Sequence, residues 1–524
     1  MVVMSTQLIG FSIGVWPANL VTCALFNTLH SQTYAGISRE RFFFYAWFGG
    51  LLWYLVPGYL FQGISYFSWV CWIAPENIVV NQTSGYVSGL GMSMVTFDWS
   101  QIAYIGWAEA NIAVSFVFFF WLVVPSLYYT NAWESKYMPI SSRTSDDNTA
   151  ASYNISHISD ASLNLTAYEE YSPLFLSTTF AISYALSFAS ITATLMHAFL
   201  FFRKQIWVQS RLLMFVIGVI SIELWHTEFP VWAFVLSLTI AFFYVIPIGM
   251  VQAITNQQVG LNVITELVVG YALPGKPIAM MMFKTWGYIT MYQALTFSSD
   301  FKLGHYMKIP PRTMLWGQVV ATAIAGTVQL GVQAWMFTNI PDICNPTQKD
   351  GFICPNIEVF GTASFVWGVI GPQRQFPSGQ IYHDLVYFLI GAFCPAVAWL
   401  ISLKWSNDFI RYVNFPVIFS GMGAIPPASA LNYVPWAIVG FIFQYVIRRK
   451  HFSWWTKYNY VLSAAMDSGL AVSIILIFFC LEYPDNGSIG LHTIQTWWGN
   501  TVFSKTADGQ YTALWTVPEG STFG

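Results

Sequence analysis

The chain has 524 residues, of which 56% are hydrophobic, 18% aromatic and only 9% charged, and its formal net charge is −3. A soluble domain carries about 25% charged residues, and no soluble fold of this length has enough interior to hide so many apolar side chains. The composition therefore excludes a cytosolic enzyme and a disordered protein. It also excludes a nucleic-acid binder, because there is no basic field to attract phosphates.

The apolar segments predict an all-α polytopic membrane protein, since a spanning helix needs about 20 apolar residues. Spans are predicted at 9–29, 42–62, 110–130, 175–202, 231–250, 313–337, 383–403, 433–447 and 460–481. Weaker segments, interrupted by polar residues, glycine or proline, lie at 66–105, 212–224, 254–297 and 415–424. Backbone may break at membrane depth only beside protein or a water-filled cavity. We therefore expect a multi-helix transporter bundle with broken and re-entrant helices.

The basic residues predict which side of the membrane each connecting segment faces, because they concentrate in cytosolic loops. They cluster in 30–41, 203–211, 298–312, 404–411 and 448–457. The segments predicted to lie outside the cell are 131–174, 338–382 and the C-terminal tail 482–524. Asn154 and Asn164 begin two N-glycosylation sequons in the first of these segments.

Two of the six cysteines, Cys344 and Cys354, flank a polar stretch in the second outer segment. Their spacing suits a disulfide-closed loop in an oxidising space, although two unpaired surface thiols would fit the same pattern. The eight histidines are scattered, so we expect no metal site.

Polar side chains recur on predicted helices in patterns that favour a substrate made of peptide bonds, because each amide both donates and accepts. One pattern places Gln258, Asn262 and Glu266 at i, i+4 and i+8, which predicts one shared helix face. A second pattern contains Gln318, Gln329 and Gln333, and Lys284 precedes Tyr288 by one turn. The alternative is that these faces only hold helices together through interhelical hydrogen bonds.

Ionisable residues inside a membrane are costly and often functional. A carboxylate among amides can bind and release a proton, and Glu266 is the first candidate for proton coupling. Further candidates are Asp98, Glu223 and Asp467.

The sequence lacks the motifs of enzymes and ATP-driven pumps. It contains no P-loop, no HExxH and no GxSxG signature. A transporter driven by an ion gradient remains.

Several long motifs resemble the oligopeptide transporter family. The run Lys308-Ile309-Pro310-Pro311-Arg312 is similar to that family's KIPPR signature, and the stretch 248–266 also matches. Further matches are VPGYLFQ at 56–62, TFDWSQIAYIG at 96–106, NIPDIC at 339–344, RYVNFPVIF at 411–419, LNYVPWAIVGF at 431–441 and WWGNTVF at 497–503. These motifs are most similar to those of the fungal and plant peptide carriers of this family.

This resemblance implies symport of small peptides, such as tetra- and pentapeptides or glutathione, with protons moving inward. It also implies a multi-pass protein of the plasma membrane, with lipid around it and without a prosthetic group. It implies nothing about oligomeric state. Uptake of metal chelates, as in the family's other branch, is the alternative substrate class.

Two departures from the family pattern bear on function. Family members usually begin with a hydrophilic tail, further helices and a Ser-Pro-Tyr-x-Glu-Val-Arg motif, whereas this chain begins within what resembles a later helix. It is also short around Arg211 and Leu212. We therefore expect one transmembrane domain over 1–524 that is incomplete at its N-terminus. A non-transporting truncated paralogue acting as a membrane scaffold is the remaining alternative.

Overall fold

The computed structural model describes residues 16–523 except 31–36, 98, 104–105, 156–163, 207–228, 346–351, 353, 378, 405–411, 485–487, 489 and 491–492. The described part is mostly helical, with one antiparallel ribbon that pairs β1 (Ser145–Asp146) with β2 (Phe175–Leu176). The predicted all-α class is confirmed.

Seven helices in the described ranges are long and apolar enough to cross a membrane. In chain order the longer helices are α1 Ala18–His30, α2 Arg39–Leu55, α3 Gly106–Tyr129, α4 Thr178–Ile206, α5 Val231–Thr255, α6 Asn262–Ala272, α7 Pro277–Lys284, α8 Thr290–Tyr306, α9 Pro311–Asn339, α10 Pro355–Ala363, α11 Tyr387–Lys404, α12 Phe415–Ser420, α13 Ala430–Lys450 and α14 Phe452–Glu482. The seven are α3, α5, α9, α11, α13, α14 and the Thr178–Leu200 part of α4. Each of them overlaps a predicted span, which confirms those predictions.

Shorter helical turns connect these elements. They are Val56–Leu60, Gln62–Tyr66, Trp69–Ile73, Ile78–Ser84, Trp99–Ala103, Ala132–Tyr137, Leu165–Tyr171, Thr285–Ile289, Ser364–Ile370, Pro372–Arg374, Asp384–Val386, Ile494–Thr496, Trp498–Thr501 and Phe503–Lys505. Thr285–Ile289 joins α7 to α8 without a gap, and Ser364–Ile370 continues α10. The segment 338–382, predicted as a loop, therefore contains a helical arm of 355–370.

The chain forms two compact units. Unit 1 contains residues 1–16, 143–176 and 183–410, and unit 2 contains residues 17–142, 177–182 and 411–524. Glycines in unit 1 allow helices to approach closely: a Cβ on Gly270 of α6 would lie 2.5 Å from Pro372 and 2.8 Å from the Trp367 carbonyl. A Cβ on Gly368 would similarly meet Pro277. The middle of unit 1 therefore packs α6 and α7 tightly against the 355–376 segment.

Unit 2 is built on the long contact between α2 and α14. A Cβ on Gly469 of α14 would lie 2.5 Å from the carbonyl oxygen of Trp47 in α2, so a small residue is required there. α12 and α13 flank a turn in which Met422 and Ile425 are buried.

The C-terminal tail folds back onto unit 2. The carboxylate of Asp508 accepts hydrogen bonds from the backbone N–H groups of Tyr86, Val87 and Ser88, at 2.9, 3.0 and 2.8 Å. Trp515 donates its backbone N–H to the Lys136 carbonyl, and Tyr137 stacks on Phe523. The tail thus packs against residues 136–137. That this part of the protein is extracellular remains a prediction.

Candidate functional site

The chain breaks between α5 and α6, and this break positions the polar residues that follow. α5 ends at Thr255, Asn256 has a left-handed backbone (φ 60°), and α6 begins only at Asn262. Gln258 is therefore not helical, and the prediction that it shares one helix face with Asn262 and Glu266 is wrong. The turn residue Asn256 ends the helix because asparagine tolerates the left-handed region.

Glu266 and Lys284 form a buried ion pair. The Lys284 Nζ lies 2.5 Å from the Glu266 Oε1, and the two residues are only 8% and 1% exposed. The Lys284 ammonium also lies 4.7 Å from the centre of the Phe360 ring, on α10. The acid proposed for proton coupling and the lysine proposed for substrate binding thus neutralise each other.

The second carboxylate oxygen of Glu266 is available for a further hydrogen bond. Among the described residues, Glu266 Oε2 is buried and has no hydrogen-bond partner. A buried carboxylate oxygen without a donor is costly, so this atom is suited to take up a proton or a donor from a bound molecule.

Aromatic side chains lie near the ion pair. Tyr288, one turn beyond Lys284, and Tyr184 of α4 both interact electrostatically with Glu266. Tyr184 packs edge-on against Trp367 at 5.2 Å, and Trp367 stacks on Phe376 at 4.6 Å. The site thus combines two opposite charges with a low-dielectric aromatic wall, which strengthens electrostatic interactions.

Sequence analysis missed Trp367, Phe376 and Gln375 because 338–382 was interpreted as a loop. The available signal was the apolar run Ser364–Ile370 followed by Gly371 and Pro372. That run is too short for a span but is typical of a re-entrant arm.

The other predicted substrate residues differ in their surroundings. Asn262 is half-buried on α6, one turn before Glu266, and Gln258 has a buried Nε2 without a partner in the described ranges. Gln318 donates to Asp300 Oδ2 at 3.1 Å, while Gln329 and Gln333 are exposed along α9. The role of these residues in binding substrate remains a prediction.

Of the three further candidate acids, only Asp467 lies within the described residues. Asp467 is an exposed residue of α14 in unit 2, and its role in proton coupling remains a prediction. Asp98 and Glu223 lie outside the described residues.

The signature motif Lys308–Arg312 forms the turn between α8 and α9. α8 ends at Tyr306, Lys308 has a positive φ of 58°, and Pro310 caps α9, which begins at Pro311. Lys308, Ile309, Pro310, Pro311 and Arg312 are all exposed. Proline suits the first turn of a helix because its missing N–H has no intrahelical partner there, so the motif has a structural role in starting α9.

The predicted disulfide between Cys344 and Cys354 is confirmed, with the two Cα atoms 4.7 Å apart. Asn154 and Asn164 are exposed, and Asn164 also caps Leu165–Tyr171. Glycosylation at either asparagine remains a prediction. Within the described residues, no group of three or more His, Cys, Asp or Glu could hold a metal ion.

Broken helices around buried polar groups, within a bundle of potential spanning helices, are the architecture of a multi-pass membrane carrier. Comparison with known proteins gives the same class: the family model described as OPT oligopeptide transporter protein matches residues 2–213 and 210–481. The chain belongs to the oligopeptide transporter family.

Three relatives illustrate this similarity. Glutathione transporter 1 of Schizosaccharomyces pombe is 41% identical over 100% of this chain and 69% of its own length. Oligopeptide transporter 7 of Arabidopsis thaliana is 38% identical over 95% of this chain and 72% of its own. Oligopeptide transporter 1 of Saccharomyces cerevisiae is 37% identical over 97% and 69%.

Proposed function

We propose that this protein carries small oligopeptides, such as tetra- and pentapeptides or glutathione, into the cell across the plasma membrane together with protons. The observation that carries the proposal is the buried Glu266–Lys284 ion pair beside aromatic side chains. The names of its relatives, which include glutathione and oligopeptide transporters, support the substrate class.

The charges of the ion pair explain how peptide binding can be coupled to proton binding. The paired carboxylate and ammonium are neutral together, whereas the C-terminal carboxylate of a peptide would compete with Glu266 for the single ammonium of Lys284. If the peptide carboxylate binds Lys284 and displaces Glu266, uptake of one proton by Glu266 removes the buried negative charge that the displacement leaves without a counter-ion. The N-terminal ammonium of the peptide requires a partner outside this pair. Peptide carboxylate and proton would then bind together because the carboxylate alone leaves two buried negative charges for one ammonium.

Uptake of a labelled tetrapeptide and of labelled glutathione tests this proposal in cells that lack their own peptide carriers. We expect uptake to be faster at external pH 5.5 than at pH 7.5 and to fall when a protonophore collapses the gradient. Glu266→Gln should remove the dependence on the gradient or stop uptake. Competition by iron or copper chelates tests the alternative substrate class.

The matched control is Glu358→Gln. Glu358 pairs with Arg143 at 3.9 Å in a more exposed position, and surface pairs contribute little. This variant should transport normally. Normal gradient-driven uptake by Glu266→Gln would refute the coupling role, and absence of peptide uptake by the wild-type protein would refute the function.

A further inference from the structure

A reversal of the chain follows the helical arm of 355–370. Gly371 has a φ of 85°, and its N–H bonds to the Val366 carbonyl at 3.0 Å. Arg374 Nη1 donates to the Ile370 carbonyl at 2.8 Å, and the Tyr382 N–H donates to the Gln375 carbonyl at 3.0 Å. These bonds stabilise the turn that contains Gln375.

The Gln375 side chain is fully buried, at 0% exposure, and its polar atoms are unpaired. Neither Nε2 nor Oε1 has a hydrogen-bond partner among the residues that the structure describes. Two other buried amides are hydrogen-bonded: Asn81 Nδ2 donates to three backbone carbonyls, and Asn111 Nδ2 donates to two. Since an unsatisfied buried amide is unfavourable, Gln375 is a candidate for contact with a bound molecule.

Contacts of the same turn link Gln375 to the ion pair. The next residue, Phe376, stacks on Trp367 and contacts Tyr184 edge-on at 6.0 Å. Pro372 packs against Gly270, one turn along α6 from Glu266. Gln375 therefore lies in a turn whose neighbouring residues, Pro372 and Phe376, contact α6 and Tyr184.

We propose that the Gln375 side chain binds a peptide bond of the cargo, with Oε1 accepting from the peptide N–H and Nε2 donating to a peptide carbonyl. This inference rests on the proposed function. A neutral amide offers a donor and an acceptor together, which matches a peptide unit and neither chain terminus. Because every peptide bond has the same pattern, such a contact recognises peptides without selecting their side chains.

The test compares Gln375→Met with Gln373→Met in peptide uptake. Methionine has a similar length but cannot form these hydrogen bonds, and Gln373 is an exposed residue of the same turn. We expect Gln375→Met to raise the KM for a tetrapeptide about tenfold with the maximal rate per molecule at the surface preserved. Gln373→Met should leave both values unchanged.

Modified peptides separate a direct contact from a structural effect. In a set of tetrapeptides, each N–H is replaced in turn by an ester oxygen. One ester should bind the wild-type carrier about tenfold more weakly than the parent peptide. In Gln375→Met this ester and the parent peptide should bind about equally, because the variant has no amide oxygen left to accept the N–H that the ester lacks.

Two results would overturn this inference. One is an unchanged KM in Gln375→Met. The other, which needs only the wild-type protein if the variant does not reach the surface, is equal competition by all the esters and the parent peptide. Failure of this inference is distinguishable from failure of the proposed function, because the wild-type carrier would still take up the parent peptide.

Discussion

Glu266 and Lys284 stabilise each other because each would otherwise be a buried charge without a counter-ion. Removing one partner of a buried pair typically costs about 3–5 kcal/mol, whereas replacing both by neutral groups is often nearly harmless. The presence of the ion pair therefore does not by itself show that it increases the free energy of unfolding. Its position near Tyr184, Tyr288 and Phe360 makes it a candidate functional feature, since an all-apolar core would pack as well.

We predict that Lys284→Met lowers the free energy of unfolding by about 3–5 kcal/mol, because it leaves the Glu266 carboxylate unpaired. The double variant Glu266→Gln/Lys284→Met should recover most of this loss while remaining unable to couple protons. Thermal unfolding of the purified proteins in detergent measures both effects. Equal destabilisation by the single and double variants would contradict this account of the pair.

The pKa values of two neighbouring acids in the segment 131–174 are shifted in opposite directions. Burial, together with the charge of Asp147, raises the pKa of Asp146 to about 7. Burial also acts to raise the pKa of Asp147, but hydrogen bonds from Thr149, Tyr171 and Ala151 outweigh it and lower the pKa. These bonds stabilise the ionised form of Asp147, whereas one buried oxygen of Asp146 has no partner among the described residues.

We predict that Asp146 lowers stability as pH rises from about 4 through 7. In this range the folded protein keeps a proton on Asp146 that the unfolded chain has released, so unfolding is favoured by raising the pH. A shift from 3.8 to about 7 corresponds to roughly 4 kcal/mol. Asp146→Asn should therefore flatten the dependence of Tm on pH between pH 5 and 8.

Asp147→Asn is the matched comparison for this measurement. The contribution of Asp147 is present above the unfolded pKa and is lost as pH falls through the lowered folded pKa. This variant should thus destabilise the protein at neutral pH. A wild-type Tm that does not change between pH 5 and 8 would contradict the assignment to Asp146.

At the scale of elements, the close contact between α6 and the 355–376 segment depends on Gly270. A Cβ there would lie 2.5 Å from Pro372 and 2.8 Å from the Trp367 carbonyl, and neither the ring nor the backbone can move freely. α6, which carries Glu266, and the turn at Gly371, which contains Gln375, are therefore in close contact.

We predict that Gly270→Ala strongly reduces peptide uptake and lowers Tm, because the added methyl group separates α6 from the turn. Gly361→Ala is the control, since no atom lies within 4 Å of a Cβ at Gly361, on α10. Alanine there should be neutral or slightly stabilising. Normal uptake by Gly270→Ala would show that the spacing of these elements is not important.

The spanning helices could be predicted from sequence because bilayer thickness imposes their length. The predicted segments 110–130 and 313–337 correspond to Gly106–Tyr129 and Pro311–Asn339. The sequence pattern does not show where a helix is interrupted. Gln258 follows the same helical period as Asn262 and Glu266, but the backbone turns at Asn256 and leaves Gln258 outside the helix. The partner of Glu266 also escaped prediction, because an ion pair between residues 18 positions apart depends on how α6 and α7 pack.

On the scale of the whole molecule, the candidate site lies entirely in unit 1. Glu266, Lys284, Tyr184 and Gln375 all belong to it, whereas the tail and the α2–α14 contact belong to unit 2. Variants in the tail therefore test the integrity of unit 2 without touching the residues proposed to bind peptide and proton.

We predict that Asp508→Ala releases the tail, because it removes the acceptor of three backbone N–H groups in residues 86–88. Limited proteolysis should then cleave within residues 498–524 faster than in the wild-type protein. Glu519→Ala, at an exposed position of the same tail, should leave the cleavage rate unchanged. Equal rates for all three proteins would show that Asp508 does not anchor the tail.

The Asp508 anchor has a consequence for biosynthesis. Residues 86–88 leave the ribosome long before their acceptor, which follows Ser88 by 420 positions. Until that acceptor is translated, three amide protons of an early segment lack their native counterpart, so unit 2 can reach its final state only late in synthesis. A nascent chain that stalls before residue 508 would present an incomplete surface to the cell's quality control.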